Sequence, residues 1–263
     1  MATTYKQFSS NDIASNRTLL HESIPITGSI LSGTYIGAAA AEENVKTYSH
    51  GMFTSIYDYP FLSSSSNHLL DLTMGISSQS SLSQSSPTGE QLSQQKKKIN
   101  IYNQMAQMLV GYDHSGSIRQ FDEDGDFSDS SDTKMNEVFF INFSRLLTKD
   151  EIKKGTFELQ LGLETEVADG NPDIMGRRAK ITDIDATASY LVNSPAGEYG
   201  ILYATSSAPS GYKLFNNDVG AFPKVGLIYY QAGIAVITAS IFNDTDGTSN
   251  DAPGLLFNTA GSV

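Results

Sequence analysis

The densest group of ligand-type side chains in this chain is the run 121–132, which packs six carboxylates into twelve residues. Oxygens at that density suit Ca²⁺, which takes about six to eight hard ligands at roughly 2.3–2.6 Å. Asp122, Asp124 and Asp126 are the candidate metal ligands. An EF-hand loop needs glycine at its sixth position, and counting from Asp122 that position holds Phe127. Counting from Asp244 puts Ser249 there, so the second Asp-rich turn fails too. The plainer reading of both runs is an exposed Asp/Gly/Ser turn.

Catalytic patterns are absent. His21, His50, His68 and His114 stand alone, with no pair at i, i+4 and no H-E-x-x-H. Asp113, His114 and Ser115 are adjacent in sequence, but a triad is built by convergence in space, and a turn is the simpler role for His114. There is no G-x-S-x-G elbow, no P-loop and no dinucleotide glycine pattern. The carboxylate pair of a glycoside hydrolase leaves no local signature, so a polysaccharide hydrolase stands only as a third alternative. Zero Cys removes thiolate ligands, Cys nucleophiles and disulfides together. The expectation is a non-enzymatic chain with no cofactor.

Charge narrows the partners. With 29 acidic and 17 basic side chains the net charge is −12, which argues against a nucleic-acid clamp because phosphate binding needs a basic face. Lys96, Lys97 and Lys98 form the only basic run and Arg177-Arg178 the only Arg pair. On so acidic a chain they read as solvated ends or complements to an acidic partner surface. The apolar share, 39%, is below the usual value of about 45–50%, and serine (34 residues) fills much of the gap.

The elements that must position these groups are mostly strands. Residues 137–143, 156–161, 179–184, 188–192 and 200–204 are strand-like runs divided by turn residues. The uncharged stretch 225–243 nears the length of a membrane span, yet Gly226, Gln231, Gly233 and its β-branched residues favour a buried hairpin, 225–230 with 234–242. Residues 68–75 suit either a strand or a short helix. One amphipathic helix is expected at about 95–110. Ile99, Tyr102, Met105 and Leu109 recur at spacings of three and four, Ile101, Met108 and Tyr112 widen the stripe, and Gly111 stops it. That stripe suits either a seam between subunits or this chain's own core.

Thr148-Lys-Asp-Glu151 is a capping box, followed by Lys153, Lys154 and Gly155, and predicts a short capped helix. Residues 77–95, rich in Ser and Gln, read as a tether. Residues 1–50 read as an extended N-terminal arm with one short strand within 23–31, and 1–20 hold no apolar run of signal-peptide length. The fold expected for 51–263 is mainly β, sandwich or barrel-like, with helical insertions.

Several segments carry a resemblance. They are 57–68 (YDYPFLSSSSNH), 98–107 (KINIYNQMAQ) with 111–113, and 139–147 (FFINFSRLL) with 149–155. The chain resembles, over about 57–161, a virion structural protein of T4-like cyanophages, and its hairpin 226–238 is similar to hairpins of tailed-phage tail and baseplate proteins. The resemblance transfers no catalytic residue. It implies a multi-copy virion component of the tail or baseplate, with neck or capsid as the alternative position, assembled in the host cytoplasm. Its partners would be itself, as a homo-oligomer, and other virion proteins, with no nucleic acid and no membrane. The interface candidates are Tyr57, Tyr59 and Phe61 with Ile99, Tyr102, Met105, Met108 and Leu109, since aromatic side chains anchor hot spots. The rival reading is a receptor- or carbohydrate-binding module of the tail apparatus, using the Asp-rich loops and Tyr side chains.

Overall fold

Residues 225–230 and 234–238 are apolar at almost every position. A strand carries such a run only when both of its faces are covered. The computed structural model describes residues 23–24, 28, 43–83, 93–127, 134–143, 151–162, 178–206 and 224–242. Its strands are β1 (Ser23–Ile24), β2 (Val45–Thr47), β3 (Thr54–Tyr57), β4 (His68–Ile76), β5 (Glu137–Asn142), β6 (Glu151–Ile152), β7 (Glu158–Gly162), β8 (Arg178–Thr182), β9 (Leu191–Ser194), β10 (Gly197–Ser206), β11 (Lys224–Tyr229) and β12 (Ile234–Thr238). Helix α1 is Ser93–Leu109 and helix α2 is Ala186–Ser189.

Ten of these strands form one antiparallel sheet in the order β2-β3-β4-β5-β12-β11-β10-β8-β7, with β9 pairing β10 off that path. The pair β11–β12 lies near its centre and turns through Gly233. The mainly-β expectation holds. Among the described residues ten strands join in one sheet whose end strands, β2 and β7, do not pair with each other. β1 and β6 make a separate parallel pair, and the Ile152 N–H donates to the Tyr230 carbonyl, which ties that pair to the main sheet.

Alternation along the strands builds a core on each face. Val138, Phe140, Leu227, Tyr229, Ile234 and Val236 meet α1 on one side. Ile141, Ile228, Tyr230, Ala235 and Ile237 meet Ile152, Ala186 and Ile241 on the other. Helix α1 presents Ile101, Tyr102, Ala106 and Leu109 to the sheet. A Cβ at Gly75 would sit 2.7 Å from the Phe140 ring and 3.1 Å from the Tyr102 Cα, so only glycine lets α1 lie this close to β4. The helix ends where expected: Gly111 is left-handed (φ 81°) and its N–H donates back to the Ala106 carbonyl.

Other expectations are decided or corrected. Of the two readings of residues 68–75, strand holds, within β4. The tether is ordered over 77–83. There the Ser77 N–H donates to the Asn136 carbonyl, the Ser80 hydroxyl donates to Glu137, a 3-10 turn covers Ser81–Ser83, and Ser77, Ser80 and Ser83 are buried. Residues 84–92 lie outside the described residues. The capped helix does not extend over its second half: Glu151 and Ile152 are β6, held by parallel pairing with β1, while 148–150 lie outside the described residues. A short helix occurs instead at α2, and it displaces the start of the strand expected at 188–192, which begins at Leu191. The hairpin's second strand ends at Thr238, and a 3-10 turn takes over. The far end of the expected arm is strand β2, with Asn44 buried beside it. Of the strand sought within 23–31, Ser23–Ile24 are strand, and apart from Gly28 the remainder lies outside the described residues.

Candidate functional site

The helix stripe turns inward. Tyr102 and Leu109 are buried, and Met105 packs against the same core. The Tyr102 hydroxyl donates to the Met135 carbonyl (2.8 Å) and accepts from the Phe121 N–H (3.1 Å), so it staples α1 to two loops. Of the five helix residues expected at an interface, Met108 is 49% exposed and Ile99 is half-buried. Of the two readings of the stripe, this chain's own core accounts for Tyr102, Met105 and Leu109, while Ile99 is half-buried and Met108 lies at the surface.

A different surface collects aromatic rings. Around the turn between β2 and β3, the rings of Tyr48, His50 and Phe53 lie 5.0 to 5.2 Å apart, and the Lys46 ammonium sits 5.3 Å from the Tyr48 centroid. His50 Nδ1 accepts from the Met52 N–H (2.9 Å), which fixes the turn and leaves Met52 and Phe53 each 37% exposed. At the other end of β3, Tyr57 lies 6.4 Å from Phe61 and 5.3 Å edge-on to His68, beside Leu62, which is 65% exposed. Tyr57 and Phe61 are thus brought together, and Tyr59 is half-buried in the loop that follows.

Asp58 holds that loop. Its carboxylate is buried and accepts from the Tyr59 N–H (2.9 Å), the Asn67 N–H (2.5 Å) and Asn67 Nδ2 (2.9 Å). Burial pushes its pKa up, but these hydrogen bonds outweigh burial and hold it below the usual carboxylate range.

Between the two aromatic groups runs a polar chain. Tyr48 Oη and Ser55 Oγ are 3.3 Å apart, the Ser55 hydroxyl donates to Asp71 Oδ1, and His68 Nε2 lies 2.7 Å from the same oxygen. Nucleophilic catalysis needs the serine hydroxyl on the imidazole. Here serine and histidine both lean on the aspartate, so the ring cannot take the serine proton. The chain links Tyr48, just past β2, to β3 and β4, with the serine and the imidazole both on the aspartate.

The acidic turn is occupied by its own contacts. Asp122 is fully buried and paired with Lys134, and its Oδ1 accepts from the Asp124 N–H (3.2 Å). Asp124 Oδ1 in turn accepts from the Asp126 N–H (2.9 Å). The three candidate Ca²⁺ ligands do not converge, and among the described residues no three His, Asp or Glu side chains gather as a metal site. Burial, with repulsion from Asp122 and Asp124, lifts Glu123 to about 7 despite a hydrogen bond from Thr238.

Sequence reading missed one cluster entirely. Lys154 lies 2.6 Å from Glu198 and 3.4 Å from Glu151, with its ammonium 5.2 Å from the Tyr230 centroid and 5.3 Å from that of Tyr190. Next to it Asp183 accepts from the Gly155 N–H (2.8 Å), the Phe157 N–H (2.9 Å) and the Tyr230 hydroxyl (3.0 Å). Every charge has a partner, which suits a structural pin for the 153–157 loop. No local signal marks it, because Glu198, Asp183 and Tyr230 are distant in sequence. His114 is exposed in a turn closed by Asp113, which accepts from Ser115 and Ser117. His21 lies outside the described residues.

Among the described residues no helix is long and apolar enough to cross a membrane, and the uncharged stretch folds as β11 and β12. No family model, curated protein or solved structure matches this chain.

Proposed function

We propose that this chain is a non-enzymatic structural subunit of a tailed-phage virion, in the tail or baseplate, which binds copies of itself and other virion proteins. One observation carries the reading: half-exposed aromatic groups stand at both ends of β3, beside the strand that ends the sheet. Tyr, Phe and Met side chains presented this way anchor protein interfaces. Charged clusters elsewhere, at Lys154 and at Asp122, are internally paired, and the Ser55–Asp71–His68 chain has the wrong order for a nucleophile, so the aromatic edge is the better-equipped surface. Immunogold electron microscopy of purified virions carrying a tagged chain tests this. Multi-copy label at the tail or baseplate is the expected outcome. Its absence from intact particles overturns the proposal.

A further inference from the structure

On the helix-bearing side lies a cleft of about 620 Å³. That size falls within the range of small-ligand sites, about 300–1,000 Å³. Its lining is unusual for a protein-docking groove. Ser78, Gln79, Asn103 and Ser117 supply hydroxyls and amides, Phe127 supplies one half-buried ring, and Arg119 supplies a guanidinium. The other charges in the cleft are committed. Lys134 is paired with Asp122 and reaches the Asp126 carbonyl (3.3 Å). Asp113 caps its own turn, with Oδ1 accepting from the Ser115 N–H (2.8 Å), the Ser115 hydroxyl (2.7 Å) and the Ser117 N–H (2.9 Å).

Arg119 is different. Its side chain makes no ion pair and no hydrogen bond among the described residues, and its Nε is buried without an acceptor. Burying part of a cation without a partner is costly, and unpaired buried donors are rare in native proteins. The position is held from both sides: the Arg119 N–H donates to the Gly111 carbonyl (3.1 Å), and Gln120 Nε2 donates to Ser77 Oγ (2.7 Å). An acidic chain thus keeps a guanidinium without an ion-pair partner among the described residues in this cleft, on a backbone that is itself anchored.

The geometry points to a binding site for an acidic saccharide, with the Arg119 guanidinium receiving a sugar carboxylate as a planar two-donor fork. The neighbouring amides and hydroxyls each donate and accept, as sugar hydroxyls do. Phe127 offers the ring an apolar face. A peptide anchor would need an apolar centre; Tyr102, Ile118 and Phe127 line this cleft among mostly polar side chains, so its apolar surface is interspersed with hydroxyls, amides and charge. The inference does not depend on the assembly role, because a subunit can carry a glycan site wherever it sits in a particle.

A glycan array probed with the full chain, followed by titration calorimetry of each hit, tests the site. Uronic- or sialic-acid glycans are expected to bind, and Arg119→Gln to weaken them about tenfold or more, the loss of a charge-assisted pair. Methyl esterification of the same glycans should weaken binding to the unmodified protein equally, a control that requires no variant to fold. Arg119→Lys, which keeps the charge and loses the fork, should fall between. No glycan binding, equal binding of neutral and acidic glycans, or binding indifferent to both esterification and Arg119→Gln overturns the proposal. Capture of polyglutamate in place of glycans also overturns it, in favour of a peptide site.

Discussion

Among the described residues Glu123 carries the clearest pH signature near neutrality. Burial, then the charges of Asp122 and Asp124, raise its pKa to about 7, and the Thr238 hydrogen bond only partly opposes this. The unfolded value is near that of a free glutamate, about 4.3. The folded chain therefore holds this proton more tightly. The resulting stability is fully present below the unfolded pKa and is lost as pH rises through about 7. Glu123→Gln keeps the neutral form at every pH. It should match the parent in urea midpoint near pH 4 and exceed it by about 1–2 kcal/mol at pH 8, after allowance for solvent screening. A constant difference across that range would show that Glu123 does not titrate as described. The sequence could place Glu123 in an acidic turn. That Thr238 closes over it depends on a contact between remote segments, which no local pattern encodes.

At the scale of elements, legibility followed locality. Helix α1 and the β11–β12 hairpin were readable because their signals, a stripe at spacings of three and four and an apolar run broken by Gly233, lie within the element itself. The direction of the α1 stripe was not readable. Periodicity gives a face and never its partner, and here the partner is β4 and β5, with Gly75 allowing close approach. The segment 77–83 looked like a tether because its partners, Asn136, Glu137 and Gln120, are distant in sequence. A strong local signal lost in the same way at Glu151 and Ile152, which pair with β1 as strand, Glu151 also meeting Lys154, where the capping box predicts helix. The site was less legible than the fold: Tyr57 and Phe61 stood out by type, whereas Tyr48, His50 and Phe53 become a group only through the β2–β3 turn. For α1 the decisive bond pair is that of Tyr102. Tyr102→Phe keeps the edge-on contact with Phe121 but leaves the Phe121 N–H and the Met135 carbonyl without their partner. A loss of about 2 kcal/mol is expected in chemical denaturation, with an unchanged denaturant slope.

An open sheet has two edges, and the whole molecule treats them differently. An unprotected edge invites another strand, and proteins blunt it with charge or by making it short. At one end β7 carries exposed Glu158 and Gln160, and Glu158 pairs with Lys180 (2.8 Å). This end is guarded by charge. At the other end β2 is three residues long and is flanked by Tyr48, His50, Met52 and Phe53. Little backbone is offered there, so any association would run through side chains more than through added strands. If that edge is where copies of the chain meet, Phe53→Glu should place an unpaired charge in the contact and move sedimentation of the oligomer toward monomer. Because Phe53 is 37% exposed, the variant should lose only about 1 kcal/mol of stability. Glu158→Ala, at the guarded end, should leave the oligomer unchanged. The reverse pattern, with Phe53→Glu silent and Glu158→Ala disruptive, would assign self-association to the β7 edge and leave the aromatic groups for a different partner.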